Sequence, residues 1–419
     1  MIKSIFLILI IFILNACGGG SKSACSVDEQ NSYVYNYMKK NYLWYDEMKE
    51  VDYTKYGSVY DLFADLKVRQ DRWSFIVDKQ LFDDYFSGKG YIGFGFKFSK
   101  ISGKYYLQLV FDNSPAKEAG LQRGDELVSV NGKNLANLGK EDIVNLFGDR
   151  EVGVERNFVL KRGSNSYSRT LKKREITVKS VMQKSIIDVD GKRVGYLLFD
   201  KFIETSFNEL DSAFAYFKDE GIDTLIIDLR YNGGGLVSVA EHFASLIKAE
   251  EDSSLLFKLQ FNDKNRDRDM SYHFKANSYS LSGISRVYFL TTSSSCSASE
   301  ALINGLKPYM DVKIIGSKTC GKPVGMVGGE FCNKYIVPIE FQIINSQNVG
   351  GYFNGISPTC QVADDITHNL GDSNEAMLKE AIYYINNGSC SSTSGRLYRK
   401  VPSDSKNSLN GANSVINAF

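Results

Sequence analysis

The sequence predicts a multidomain α+β protein with a helical N-terminal cap, a small β-barrel-like domain and an α/β core of βαβ units. Three observations support this fold class. The chain has 419 residues, which suits two or three domains better than one. Its hydrophobic pattern changes twice, from helical spacing to short alternating strands and then to buried strands between helices. Because 43% of the residues are hydrophobic, the chain can fill several cores.

The N-terminus has the pattern of an export signal. Lys3 precedes an apolar run over residues 5–14, which is too short to span a bilayer but fits a signal-peptide core. The following Asn15, Ala16 and Cys17 resemble the box of bacterial lipoproteins, in which the cysteine is lipidated and becomes the first residue. We therefore predict a signal peptide over 1–16, lipidation at Cys17 and a tether over 17–30. An ordinary secretory signal cut nearby is the alternative, and it also predicts export.

The next segments differ in composition. Residues 31–87 are rich in aromatic side chains at helical spacing and predict an N-terminal helical domain, whereas residues 88–175 show short strands separated by glycine. The core is predicted over 185–390, and the Ser- and Asn-rich residues 391–419 are predicted to form a mobile tail. In the core we predict strands at 193–202, 224–229, 287–290 and 312–315, and helices at 206–219, 237–249 and 299–310.

The charge balance and the histidine count exclude several functions. The 50 Lys+Arg residues balance 49 Asp+Glu, so no strong field favours nucleic acid. The chain has 3 histidines, at 242, 273 and 368, too scattered for a His-rich metal site or an obvious Ser-His pair. We therefore expect no nucleic-acid partner, no metal and no cofactor.

Six cysteines remain once Cys17 is assigned to lipidation. An even set in an exported protein predicts disulfides, although many pairings are open. Our predicted pairs are Cys320–Cys332 and Cys360–Cys390, with Cys25–Cys296 left by elimination.

Residues 114–132 resemble part of a PDZ domain, with a Pro-led helix, a Gly turn and a strand closed by Asn-Gly. In PDZ domains, the loop that resembles Gly93, Phe94, Gly95 and Phe96 offers backbone N–H groups to the terminal carboxylate of a bound chain. Alternatively, these glycines only permit a tight entry into the strand.

Three clusters in the core contain candidate catalytic or binding residues. The first, over 228–235, is a Gly-rich turn whose N–H groups suit an anion or an oxyanion. The second, over 291–300, places Ser297 and Glu300 at the spacing of a capping box, which alone would explain both residues. The third, over 316–323, resembles a phosphate-binding loop, but Pro323 replaces the hydroxyl that would hold Mg²⁺. Nucleotide binding is the alternative for this third cluster.

Together, the three clusters resemble those of the carboxy-terminal processing peptidases, also called tail-specific proteases. The resemblance covers most of the chain and implies a crotonase/ClpP-like α/β core. It implies that Ser297 is the nucleophile and Lys322 the base, with Ser295 and Ser299 as less favoured alternatives. The oxyanion would be held by backbone N–H groups, those of Gly233, Gly234 and Ala298.

The implied protein is a lipid-anchored serine endopeptidase of the bacterial envelope that cleaves exported polypeptides near exposed apolar C-termini. Many family members have a Gln four residues after the lysine, but this chain has Met326 there. The residue that orients Lys322 is therefore unidentified. A catalytically weak PDZ-containing binding lipoprotein is the alternative function. Gly18 after Cys17 favours the outer membrane if the source is Gram-negative, and the oligomeric state is unknown.

Overall fold

The structure is a computed structural model that describes residues 25–87, 90–177, 179–248, 253–281 and 283–392. The predicted signal peptide, Cys17, most of the tether and the tail from residue 393 onward lie outside these ranges. Within them, no helix is long and apolar enough to cross a membrane.

The N-terminal domain has three α-helices, and the first two pack around an aromatic core. The first helix begins with a capping box, because Ser26 Oγ accepts from the Glu29 N–H and the Glu29 carboxylate accepts from the Ser26 N–H. Tyr42 and Trp73 are buried against these helices. The elements are α1 (Val27–Asn41), α2 (Val59–Leu66), β1 (Phe75–Asp78) and α3 (Lys79–Ser87). The helical cap therefore also carries one strand.

The PDZ domain contains two antiparallel sheets, the larger from the third to the eighth strand of the chain and a separate two-stranded pair, with two short helices. Its core contains Phe94, Phe96 and Phe158. Gly95 has a φ of +92°, and a Cβ there would lie 2.1 Å from the Ser114 Cβ, so this turn requires glycine. The elements are β2 (Tyr91–Gly93), β3 (Phe96–Ile101), β4 (Lys104–Val110), α4 (Pro115–Glu118), β5 (Glu126–Val130), β6 (Lys133–Asn134), α5 (Lys140–Phe147), β7 (Glu155–Arg162), β8 (Asn165–Lys172) and β9 (Arg174–Ile176).

The α/β core contains a six-stranded sheet in which only the first pair of strands is antiparallel. Its strands, in spatial order, are β10 (Val181–Val189), β11 (Lys192–Phe199), β12 (Thr224–Asp228), β15 (Arg286–Thr291), β16 (Asp311–Gly316) and β21 (Cys360–Gln361). Its helices are α6 (Ser206–Asp219), α7 (Val237–Ile247), α8 (Ala298–Leu306) and α9 (Ala376–Asn387). Apolar clusters cover both faces of the sheet, as a mainly parallel sheet requires.

A second core sheet is antiparallel and was not predicted. It is made of β14 (Met270–His273), β13 (Leu255–Phe261), β20 (Phe341–Asn345) and β17 (Val324–Gly325), in that spatial order. The hairpin of β18 (Gly329–Phe331) and β19 (Lys334–Val337) leaves this region and pairs with β1 of the N-terminal domain. The N-terminal domain is thus hydrogen-bonded to the segment that follows Lys322.

The disulfides correct two of the three predicted pairs. The structure forms Cys360–Cys390, as predicted. The other bridges are Cys25–Cys332 and Cys296–Cys320, so the predicted pairs Cys320–Cys332 and Cys25–Cys296 are wrong. The reason is topological: parallel pairing of β15 with β16 brings the two loops that follow them together, and with them Cys296 and Cys320.

Candidate active site

Ser297 lies on the turn between β15 and α8, where it is half-buried. Its φ of +56° and ψ of −113° are unusual for a residue with a side chain, and such strain often occurs at functional turns. The turn is held from both sides: the carbonyl of Asn232 accepts from Cys296 N and from Ser299 Oγ, at 3.0 and 3.1 Å. Ser297 therefore has a fixed position at the positive end of a helix.

The Gly-rich turn after β12 packs directly against Ser297. A Cβ at Gly234 would lie 2.8 Å from the Ser297 Cβ and 2.9 Å from Ala298 N, so only glycine fits. The Gly234 N–H already donates to Asn232 Oδ1 at 2.8 Å, which corrects its predicted role as an oxyanion donor. Of the three predicted donors, Gly233 and Ala298 remain, and Ala298 opens the helix, where its N–H has no intrahelical acceptor.

Glu300 connects the turn of Ser297 with the loop of Lys322. Its carboxylate accepts from the N–H groups of Ser297, Gly321 and Lys322 at 3.0, 2.8 and 2.8 Å, and from the Thr319 hydroxyl. The sequence pattern predicts Glu300 only as part of a capping box. The box explains its contact with Ser297, but the contacts with Gly321 and Lys322 span 21 and 22 residues and leave no local pattern.

The burial of Lys322 makes its neutral amine accessible at a lower pH than in an exposed lysine. Burial lowers the pKa of Lys322 to about 8, although the carboxylates of Asp71 and Glu300 act in the opposite direction. Burial also raises the pKa of Glu300, while its hydrogen bonds oppose that shift. A lysine with such a pKa can accept a proton at a modest cost in free energy.

The loop of Lys322 does not fit the phosphate-binding alternative. A phosphate cradle requires several unused N–H groups. Here the N–H groups of residues 317, 319 and 320 donate to backbone carbonyls, and those of Gly321 and Lys322 donate to Glu300. The nucleotide-binding interpretation is therefore wrong for this conformation of the loop.

Two described clusters have the composition of metal sites, Cys296 with Glu300 and Cys320, and Cys360 with Glu380 and Cys390. In both, the cysteines form a disulfide with each other, so they offer no thiolate ligand.

Models of three protein families match the chain in the order of its domains. The peptidase S41 N-terminal domain matches residues 29–75, a PDZ domain matches 110–152, and peptidase family S41 matches 193–362. The last match includes Ser297, Lys322 and the Gly-rich turn. The chain belongs to peptidase family S41.

Relatives within family S41 share limited identity with the chain. A protein of Staphylococcus haemolyticus described as a CtpA-like serine protease is 26% identical over 65% of this chain and 53% of its own length. A CtpA-like serine protease of Staphylococcus saprophyticus is 30% identical over 58% of this chain and 47% of its own length. The chain thus spans roughly half the length of these curated relatives.

Solved structures show the same fold. A protein assigned to the S41 proteases from Bacteroides fragilis has a TM-score of 0.69 at 24% identity, covering 85% of this chain and 97% of that one. The photosystem II D1 C-terminal processing protease has a TM-score of 0.54 at 18% identity, covering 81% and 94%.

The Gly-rich turn of this S41 chain is supported by a buried ion cluster. Arg230 is fully buried and donates to both oxygens of Asp228, to both oxygens of Glu375 and to Asp364. From the PDZ domain, Arg123 also donates to Asp364, at 2.7 Å. Glu375, Asp364 and Arg123 were missed by sequence reasoning because each is far from the turn along the chain.

The structure places the predicted carboxylate-binding loop at the start of the PDZ sheet. Phe94 and Phe96 are buried in the PDZ core, and the Phe94 carbonyl accepts from Ala116 N at 2.9 Å. The Gly95 carbonyl accepts from Phe111 N. These backbone hydrogen bonds hold the loop against the rest of the PDZ domain.

Proposed function

We propose that this chain is a serine endopeptidase in which Ser297 is the nucleophile and Lys322 the general base. The observation that carries the proposal is the Glu300 carboxylate, which accepts from the backbone N–H groups of both residues and so holds their loops together. The lowered pKa of Lys322 supports the same roles, because only a neutral amine can accept the proton of a serine.

In the proposed reaction, neutral Lys322 takes the proton from Ser297 Oγ while Oγ bonds to the carbonyl carbon of the substrate. The N–H groups of Gly233 and Ala298 stabilise the negative charge on the carbonyl oxygen. The C–N bond then breaks, and protonated Lys322 gives its proton to the leaving amine. Water then attacks the acyl carbon as Lys322 takes one of its protons, the bond between the acyl carbon and Ser297 Oγ breaks, and Lys322 returns the proton to Oγ while the new C-terminus leaves.

The substrates that we propose are exported polypeptides with exposed apolar C-termini. A PDZ domain binds a terminal carboxylate through loop N–H groups and adds the bound chain to its sheet. The loop over residues 93–96 leads into β3, which is an edge strand of the PDZ sheet. A bound chain could therefore add to the sheet beside this loop.

Covalent labelling tests the proposed dyad. A fluorophosphonate probe is expected to modify Ser297, identified by peptide mass spectrometry, at a rate that rises with pH and levels off above about 8. The sign follows from the mechanism: below this pKa Lys322 is protonated and cannot accept a proton. Lys322→Ala should abolish labelling, whereas Lys318→Ala, an exposed lysine of the same loop, should label normally.

The outcome also distinguishes the alternative function. Met326 leaves position 326 without a strong hydrogen-bond acceptor, which favours a catalytically weak binding protein. Unlabelled Ser297 in a protein that still captures an apolar C-terminal peptide would support that alternative and contradict the peptidase proposal.

We also propose that the protein is a lipoprotein of the bacterial cell envelope, anchored through Cys17, with the outer membrane favoured if the source is Gram-negative. The proposal is supported by the lipoprotein-like box before Cys17 and by three disulfides, which persist in oxidising compartments. Cys17→Ser is expected to move the protein from the detergent phase to the aqueous phase in Triton X-114 partitioning. Ser23→Ala, in the same tether, should leave it in the detergent phase; equal partitioning of wild type and Cys17→Ser would contradict the anchor.

A further inference from the structure

We propose that Asp71, on the loop that follows α2 in the N-terminal domain, is a positioning residue for the amine of Lys322. It would take the place of the orienting side chain that Met326 cannot supply. This inference rests on the proposed function and adds the N-terminal domain to the active site.

The carboxylate of Asp71 is buried and held in one orientation. The residue is 7% exposed. Its Oδ1 accepts from the N–H groups of Trp73 and Ser74 at 3.0 and 2.9 Å, and its Oδ2 accepts from the Tyr42 hydroxyl at 2.7 Å. Since a carboxylate accepts about four hydrogen bonds, one acceptor position remains beside these three.

The residues that follow Asp71 contact two segments of the core. In the first segment, Arg72 donates to the Phe353 carbonyl at 3.1 Å, and a Cβ at Gly321 would lie 2.3 Å from that same oxygen. In the second segment, Ile339 N donates to Ser74 Oγ at 2.8 Å, and the adjacent Glu340 N donates to the carbonyl of Gly325, three residues after Lys322. The loop of Asp71 is thus hydrogen-bonded to segments that contact Gly321 and Gly325, on either side of Lys322 along the chain.

Apolar packing also brings the loop of Asp71 close to the loop of Lys322. Trp73 and Val324 are buried in one cluster, and Val324 comes two residues after Lys322. Met326 packs against this cluster, so its thioether contributes to the apolar contact between the N-terminal domain and the core. The loop of Asp71 therefore covers the loop of Lys322 where position 326 is apolar.

Two carboxylates raise the pKa of Lys322, Asp71 from the N-terminal domain and Glu300 from α8. The neighbouring cation, Arg72, lies over the Trp73 ring at 4.7 Å and donates to a carbonyl. Glu300 is already engaged by three N–H groups and a hydroxyl. Asp71 is therefore the acceptor that can orient the amine.

The test is the pH profile of kcat/KM for peptide cleavage by the full chain. Asp71→Asn removes the charge but keeps an oxygen that can accept from Trp73 and Ser74. Because Asp71 raises the pKa of Lys322, its loss should move the acid limb to lower pH by roughly 0.5–1 unit. We expect kcat to fall about 10-fold from misorientation, with KM little changed.

Two further variants make the result decisive. Asp263→Asn removes a carboxylate that also accepts from a tyrosine of the N-terminal domain, Tyr45, but does not act on Lys322, so its limb should not move. Tyr42→Phe keeps the Asp71 charge and frees its Oδ2, and should move the limb to higher pH. If the acid limb of the pH profile stays at its wild-type position in both Asp71→Asn and Tyr42→Phe, the inference is overturned, even if kcat falls. Activity that survives Lys322→Ala would instead overturn the proposed function itself.

Discussion

Replacing Ser297 with alanine is expected to lower kcat/KM for an unstructured peptide by about 10⁵- to 10⁶-fold, close to complete loss. The variant loses the atom that forms the acyl-enzyme, and what remains is oxyanion stabilisation and substrate binding. The substitution removes one half-buried hydroxyl and leaves the Ser297 N–H bond to Glu300, so the protein should stay folded. Steady-state cleavage together with far-UV circular dichroism checks both parts.

Neighbouring serines supply the controls. Ser295 Oγ donates to the Leu229 carbonyl and Ser299 Oγ to the Asn232 carbonyl, and both residues are buried, so neither hydroxyl is placed to attack a substrate. Ser294, which is exposed on the same turn, should be replaceable by alanine with full activity. If Ser297→Ala cleaved as fast as Ser294→Ala, the assignment of the nucleophile would be wrong.

Replacing Arg230 with alanine is expected to destabilise the core by about 3–5 kcal/mol. The guanidinium is fully buried, and its removal leaves the fully buried carboxylates of Asp228 and Glu375 without their cation. The Gly-rich turn begins at this cluster, so activity should also be lost. The measurement is urea unfolding followed by far-UV circular dichroism.

An exposed ion pair serves as the control for the effect of burial on the free energy of unfolding. Arg193 and Glu220 also form an ion pair, but their side chains are 47% and 38% exposed. Arg193→Ala should therefore cost no more than about 1 kcal/mol. Equal unfolding midpoints for Arg193→Ala and Arg230→Ala would show that the buried cluster does not hold the core together.

Local patterns predicted the βαβ part of the fold well. The helix predicted at 206–219 coincides with α6, because its apolar face repeats at helical spacing and packs on the sheet. The antiparallel sheet of β13, β14, β17 and β20 was missed, since its strands are scattered over more than 90 residues and pair with distant partners. The disulfides depend on the same long-range topology, and two of the three predicted pairs were wrong.

The candidate site shows the same limit. The turns that carry Ser297 and Lys322 have local motifs and could be predicted from the residues and the family resemblance. Glu300 accepts from the N–H of Lys322 in the neighbouring loop, 22 residues away along the chain. Asp71 comes from another domain, about 250 residues away. Contacts of this kind are set by tertiary packing, so no local spacing indicates them.

The disulfide between Cys25 and Cys332 limits how far the folded domains can lie from Cys17. It fastens residue 25 to the turn between β18 and β19, so the first helix cannot unravel to lengthen the connection to Cys17. Eight residues of fully extended chain span at most about 29 Å. If Cys17 carries the lipid, residue 25 stays within about that distance of the membrane surface, and the folded domains are expected to remain close to the membrane.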